Sequence, residues 1–284
     1  MPQKTPKVSV LMPAYNVEKY VGAAIESILN QTFTDFEFII INDGSTDNTA
    51  KIIKEYAKKD KRIRFINHTK NKGLIAVLNE GLDLCNGEYI ARMDSDDISL
   101  PERFAKQVTY MDTNPECGVL GTAIQLFGRL NNIVRNIENV KIFNLLSGHF
   151  VAHPTVMMRK SIIDKYNLKY DAKYKHAEDF ELWSRMVFIT EIHNLNEILL
   201  KYRWHEENIS VLHSEEQSNV SDRIKQNIIN KLTNDELSKR LILDIVRYKN
   251  KRRILLPKWT GKIICLFIFK REKRHIFRDK YVKD

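Results

Sequence analysis

Asp94, Asp96 and Asp97 put three carboxylates within four positions, at the end of the segment EYIARMDSDD that runs from 88 to 97. Tyr89, Ile90, Ala91 and Met93 make the approach apolar, so the acids close what reads as a buried strand. Like charges at that spacing repel, and either protons or a cation must offset the repulsion. Asp94 and Asp96 are two apart, so on an extended chain both side chains leave the same face. Oxygen ligands set this way suit a hard cation, Mg²⁺ or Mn²⁺, which keeps sites free for water and phosphate oxygens. The plainer alternative is a turn after a strand, since Asp and Ser favour turns and Pro101 follows soon.

Other candidates carry the same double meaning. Glu178-Asp179 ahead of FELW is either a second reactive carboxylate pair or an acidic helix start that complements the dipole. Asp43-Gly44-Ser45 is equally a turn with a cap. His153 and His205 stand alone in sequence and are ordinary structural histidines on that evidence. Neither a Gly-x-x-x-x-Gly-Lys-Ser/Thr loop nor a Gly-x-Gly-x-x-Gly turn follows the first strand, which weighs against P-loop and dinucleotide chemistry. A diphosphate site without a glycine cradle needs another source of positive charge, and a metal held by carboxylates supplies it.

The elements that must position these groups alternate. Val8 to Met12, Phe36 to Ile41, Arg62 to Asn67 and Glu88 to Met93 read as strands. Between them lie helical patterns ending near Asn30, from Thr46 to Lys59, and from Gly73 to Cys85. Short apolar strands alternating with helices predict an α/β fold with a mostly parallel sheet. Ligands bind at the carboxyl ends of such strands. Tyr15-Asn16, Asp43-Gly44-Ser45 and Asp94-Ser95-Asp96 all fall there. The second half predicts a helix from Pro101 to about Asn114 and strands over Gly118–Phe127, Thr155–Arg159 and Ile198–Trp204. A helix opens at Glu178, and the pattern is helical and polar from Glu215.

Composition narrows the setting. The 284 residues are 43% hydrophobic and 29% charged, as in ordinary globular proteins. Cys85, Cys117 and Cys265 have unrelated spacings, which fits a reducing compartment rather than a disulfide framework or a zinc site. The N-terminus reaches Tyr15-Asn16 too soon for a signal peptide, and no apolar run approaches the ~18 residues of a membrane span. The charge of +10 is uneven: residues 240–284 hold 15 Lys/Arg and 4 Asp/Glu, leaving the remainder close to neutral. That tail predicts an anionic partner, either membrane lipid or nucleic acid.

Five segments, VSVLMPAYNVEKYVGAAIESILNQTF, FIIINDGSTDNT, NKGLIAVLNEGL, GEYIARMDSDDISLPERF and AEDFELWSRM, occur in the order seen in family 2 glycosyltransferases, and residues 6 to 210 resemble that family. The resemblance implies a GT-A fold and an inverting transfer from a nucleotide-activated sugar. It implies that Pro13, Ala14, Tyr15 and Asn16 line the nucleotide pocket and that Asp43 bonds the base, usually uracil. Asp94, Ser95 and Asp96 match the Asp-x-Asp that contacts the ribose and the diphosphate's Mn²⁺ or Mg²⁺, with Asp97 beside them. Asp179 matches the general base, with Glu178 as the fallback. His205 resembles a late histidine that joins the metal or diphosphate, and His153 sits where relatives carry a residue near the donor.

These likenesses give a domain over 1–215 and a helical, basic extension over 216–284. The expected activity moves a hexose or N-acetylhexosamine from a UDP-sugar to a growing surface glycan (lipopolysaccharide, capsule or exopolysaccharide), with a lipid-linked acceptor. Trp259 to Phe269, mostly apolar between basic clusters, suits the interface of an anionic membrane, so the protein is expected in the cytoplasm on the inner face. The competing interpretation of that segment is a core helix with solvated flanks. Nucleic acid is not expected, because no binding motif accompanies the charge. Two alternatives compete with transfer. A sugar-nucleotide-forming nucleotidyltransferase calls for a Gly-rich basic loop after the first strand, which Pro13-Ala14-Tyr15-Asn16 is not. A non-catalytic membrane scaffold is disfavoured by the intact Asp94, Asp96 and Asp179.

Overall fold

The computed structural model describes residues 5–148, 151–206, 208, 212–240 and 242–243. Strand β1 (Val8–Ala14) is buried along its whole length because it has a parallel partner on each side. Those partners are β2 (Phe36–Asp43) and β4 (Tyr89–Arg92), and β3 (Ile63–His68) pairs in parallel outside β2. Side chains alternate across these strands and sort into two cores. Val8, Val10 and Met12, with Phe38 and Ile40, pack with Ile25 and Ile28 of α1 (Val21–Leu29) and Ile53 of α2 (Thr49–Lys59). Leu11, Ile39 and Ile41 pack on the other side with Val77, Leu78 and Leu82 of α3 (Leu74–Leu84). Gly81 permits that approach, since a Cβ there would stand 2.2 Å from Leu11 Cδ1.

The chain continues through β5 (Ile98–Ser99), α4 (Arg103–Thr113), β6 (Cys117–Gly128), β7 (Ile133–Val134), β8 (Asn139–Val140) and α5 (Ile142–Leu146). Then come β9 (Met157–Arg159), α6 (Lys160–Lys165), α7 (Glu178–Met186), β10 (Glu191–Trp204) and α8 (Ser214–Leu232). The sheet order is β3-β2-β1-β4-β9-β6-β10-β5. β9 runs antiparallel to both β4 and β6, and so joins the parallel half to the parallel pair β6–β10. Apart from β9, the antiparallel additions are β5 and β8 against β10 and β7 against β6. Trp183 and Met186 of α7 share a core with Ile224 and Ile228 of α8, the helix at whose start the expected 215 boundary falls.

Two element bounds differ from expectation for local reasons. β10 begins at Glu191 rather than Ile198, because Asn194, Asn196 and Glu197 break the apolar pattern and the register shifts between Leu195 and Ile198. α2 begins at Thr49 rather than Thr46, because residues 45–48 bond to the segment after β1 instead of joining the helix. The basic stretch 244–284, including Trp259–Phe269, lies outside the described residues. Among those described, no helix is long and apolar enough to cross a membrane.

Parallel pairing puts the carboxyl ends of β1, β2 and β4 on one edge of the sheet, so Ala14, Asp43 and the residues after Arg92 emerge together. A buried brace holds that edge. Arg103 donates to the Arg92 carbonyl at 2.7 Å, and Gln107 donates to the carbonyls of Leu120 and Thr155, both at 2.9 Å. Burial, with the nearby Arg92 charge, lowers the Arg103 guanidinium to about 9.

Candidate active site

Pro13 and Ala14 finish β1 within the buried edge, while Tyr15 is exposed and Asn16 adopts φ 51°. Short polar side chains tolerate that left-handed backbone best. Asn16 is fixed by two bonds to the loop after β2: its amide donates to Ser45 Oγ at 3.0 Å and its Oδ1 accepts from the Thr46 amide at 2.9 Å. Glu18 and Asp47 extend the same lacing, each accepting an amide from the opposite loop. Gly44 lies beneath at φ +69°, where a Cβ would stand 2.5 Å from the Lys70 carbonyl carbon. Asp43, 4% exposed, accepts from the amides of Lys72 at 2.7 Å and Gly73 at 2.9 Å. One lone pair on each Asp43 oxygen therefore secures the 70–73 loop, and the second remains for an added donor.

The acids after β4 converge. Asp94, Asp96 and Asp97 each present a carboxylate oxygen, all within 4.8 Å of one another. Asp94 pairs with the buried Arg92 guanidinium. Asp97 is fully buried; its Oδ1 accepts from the Arg203 amide at 2.8 Å, and its Oδ2 has no hydrogen-bond partner. Burial, and then the charges of Asp94 and Asp96, push the Asp97 carboxyl well above the usual range. Burial raises Asp94 too, against the opposing pull of Arg92. Ser95 is buried between them. Three convergent carboxylates, one of them with a buried oxygen that lacks a partner, fit a hard divalent cation such as Mg²⁺ or Mn²⁺.

β10 brings its last residues to the same acids. His205 Nε2 lies 3.0 Å from Asp96 Oδ2, and Arg203 Nε donates to the Asp96 carbonyl at 2.8 Å. Tyr20, from the loop after β1, stacks on His205 at 5.6 Å between ring centroids and under the Arg203 guanidinium at 4.5 Å. These contacts tie the first and last strands of the site into one wall.

Glu178 and Asp179 open α7. Burial, and then the Asp179 charge, push Glu178 up to about 7. Burial also raises Asp179, whose Oδ1 accepts the Phe180 amide at 2.7 Å. Asp179 is close enough to Arg92 and Asp94 for both charges to act on it, so the two carboxylate groups share one electrostatic field. His153 takes a different position. Its ring is buried, Nε2 lies 2.9 Å from the Tyr170 hydroxyl, and the ring edge meets Trp183 of α7. Burial, reinforced by Arg92, holds it neutral.

Arg92 is the group that sequence reasoning missed. It is 4% exposed, and its charge acts on Asp94, Asp97, His153, Glu178 and Asp179. Its signal was present as the one cation inside an otherwise apolar strand that ends in acids. Tyr20 and Arg203 carried no such signal, because their roles depend on contacts across the sheet.

The sheet order, with helices on its faces and acids at its carboxyl edge, is that of a GT-A frame. Residues 9–167 match the family model Glycosyl transferase family 2, and the chain belongs to that family; it is a glycosyltransferase. It is 35% identical over 241 residues to an uncharacterized glycosyltransferase of Haemophilus influenzae, covering 79% of this chain and 73% of the relative. It is 38% identical over 209 residues to the O-antigen biosynthesis glycosyltransferase WbnJ of Escherichia coli, covering 70% and 80%. Among solved structures, residues 1–349 of S. aureus TarS in complex with UDP-GlcNAc have the same fold. The TM-score is 0.70 at 22% identity, covering 96% of this chain and 79% of that one.

Proposed function

We propose that the protein moves a hexose or N-acetylhexosamine from a UDP-sugar to a hydroxyl of a growing cell-surface polysaccharide, with inversion at the anomeric carbon. The observation that carries this is the cluster of Asp94, Asp96 and Asp97 after β4, paired with Arg92, whose charge also acts on a second acid group, Glu178 and Asp179, at the start of α7. An inverting transfer needs one acid group on the leaving side and a separate base on the attacking side. The O-antigen biosynthesis role of the Escherichia coli relative supports a surface glycan, and the nucleotide sugar bound by the S. aureus protein supports a UDP donor.

The chain's own residues divide the work. Asn16, Ser45 and Asp43 shape the nucleotide end, where an Asp43 oxygen can accept from a base N–H. Asp94 and Asp96, with His205 beside Asp96, would hold a divalent cation. When bound, that cation supplies Lewis-acid stabilisation to the diphosphate as it leaves. Asp179 takes the proton of the acceptor hydroxyl as it attacks, and burial raises its proton affinity in the direction that work needs. Arg92 pairs with Asp94 and opposes the burial that raises its proton affinity. His153 and Tyr170 back α7 and so set the position of the base.

The acceptor is proposed to be lipid-linked. The +11 charge of residues 240–284 supports peripheral attachment to an anionic membrane surface, which sets the protein at the inner face of the cell membrane. A screen of nucleotide sugars, following nucleoside diphosphate release with Mn²⁺ or Mg²⁺ present, tests the donor. Release from a UDP-hexose or UDP-N-acetylhexosamine is expected. Exclusive use of another nucleotide contradicts the UDP assignment.

A further inference from the structure

A second group of ligand-type side chains lies outside the carboxyl edge. His176 precedes α7, His213 caps α8, and Glu216 sits in the first turn of α8; one ligand atom from each falls within 4.8 Å of the others. His176 Nε2 is 3.4 Å from Glu216 Oε2, and His213 Nδ1 is 3.6 Å from the same oxygen. Ligands about 2.0–2.2 Å from a tetrahedral metal stand about 3.3–3.6 Å apart, so two edges already have coordination dimensions.

The backbone is arranged around this contact. His176 adopts φ 69°, a left-handed conformation unusual for a residue with a side chain. Its carbonyl accepts from Gln217 Nε2 at 2.7 Å, which pins that turn to α8. The His176 residue is 9% exposed, yet its Nε2 has no hydrogen-bond partner. A buried ring nitrogen without a partner is costly unless something fills its lone-pair direction. Burial and the neighbouring His213 favour the neutral ring, which is the form that coordinates. The two imidazoles are stacked at 4.0 Å between centroids, so they must tilt apart for both lone pairs to converge on one point.

We infer that His176 Nε2, His213 Nδ1 and Glu216 Oε2 form a zinc-type site that staples the start of α8 to the turn leading into α7. Two imidazoles and one carboxylate select a borderline transition metal, whereas Mg²⁺ prefers oxygen alone. His176 lies two positions before Glu178, so the staple fixes the turn from which the carboxylate pair emerges. The site is separate from the acids after β4 and does not depend on what they bind.

The test uses the untagged full-length chain, stripped of metal and kept in excess Mg²⁺. Zn²⁺ is titrated by calorimetry, and Co²⁺ is used as the optical probe. One equivalent of Zn²⁺ is expected, with the strong visible absorption of tetrahedral Co²⁺ and a Zn²⁺-dependent rise in unfolding temperature. His176→Ala, His213→Ala and Glu216→Gln should each weaken Zn²⁺ binding at least about ten-fold and abolish the Co²⁺ band. Asp96→Asn should leave both intact. His213 is only half-buried, so His213→Ala decides the matter if His176→Ala does not fold. Failure of the parent chain to bind Zn²⁺, an unchanged Co²⁺ band in His213→Ala, or loss of that band in Asp96→Asn overturns the assignment.

Discussion

His205 Nε2 lies 3.0 Å from Asp96 Oδ2 across 109 residues of sequence, so the end of the last strand is joined to the acids after the fourth. If this pair holds a metal with Asp94, UDP affinity should depend on divalent cation and on both side chains. Asp96→Asn should remove most of the gain in UDP affinity that Mn²⁺ or Mg²⁺ provides, and His205→Ala should remove part of it. UDP binding followed by calorimetry with and without chelator checks this. Equal affinity in both conditions for the parent protein would count against the metal role.

Gly44→Ala should destabilise the nucleotide end. Its φ is +69° and the new Cβ would stand 2.5 Å from the Lys70 carbonyl carbon, so the loop held by Asp43 must move. Strain of that kind costs on the order of 1–3 kcal/mol. Denaturant unfolding should register that loss, and UDP affinity should fall with it.

Glu178 gives stability a pH dependence with a definite sign. Burial raises its folded pKa from 4.5 to about 7, so the folded state binds the proton more tightly than the unfolded chain. Its contribution is fully present below 4.5 and is lost as pH rises through about 7. Glu178→Gln stays neutral and should flatten that fall, by up to about 3 kcal/mol. Urea midpoints for parent and variant on either side of the window measure it.

The basic tail yields a separate prediction. Removing residues 240–284 should release the protein from anionic vesicles, and added salt should release the full chain in part through screening. Activity on a short soluble acceptor should persist if the body stays folded. Vesicle co-sedimentation decides it, and undiminished binding by the truncated protein rejects the membrane role.

Much of this was legible because the early strands are continuous apolar runs whose ends are punctuated by Asn16, Asp43 and Asp94. Periodicity cannot order strands, so the antiparallel insertion of β9 between β4 and β6 needed the structure. The acids were visible as types and spacing. Their surroundings were not: Arg92 hides in an apolar strand, and the Tyr20, Arg203 and His205 wall is assembled from residues brought together by register. His153 illustrates the limit, since its hydrogen bond to Tyr170 and its ring contact with Trp183 join residues that no spacing connects. His176, His213 and Glu216 gave no motif because His176 is far in sequence from the other two.

The central claim is the division of labour between the two acid groups, and Asp179→Asn tests it most directly. The substitution keeps shape but removes the proton-accepting charge, so UDP and UDP-sugar affinity should stay close to that of the parent. Turnover with an authentic acceptor should fall by at least ~10²-fold, in kcat rather than in binding, and Glu178→Gln should cost much less. Near-normal kcat in Asp179→Asn, with loss confined to Glu178→Gln, would mean the neighbouring carboxylate is the base. Near-normal kcat in both would contradict base-assisted inversion at this site.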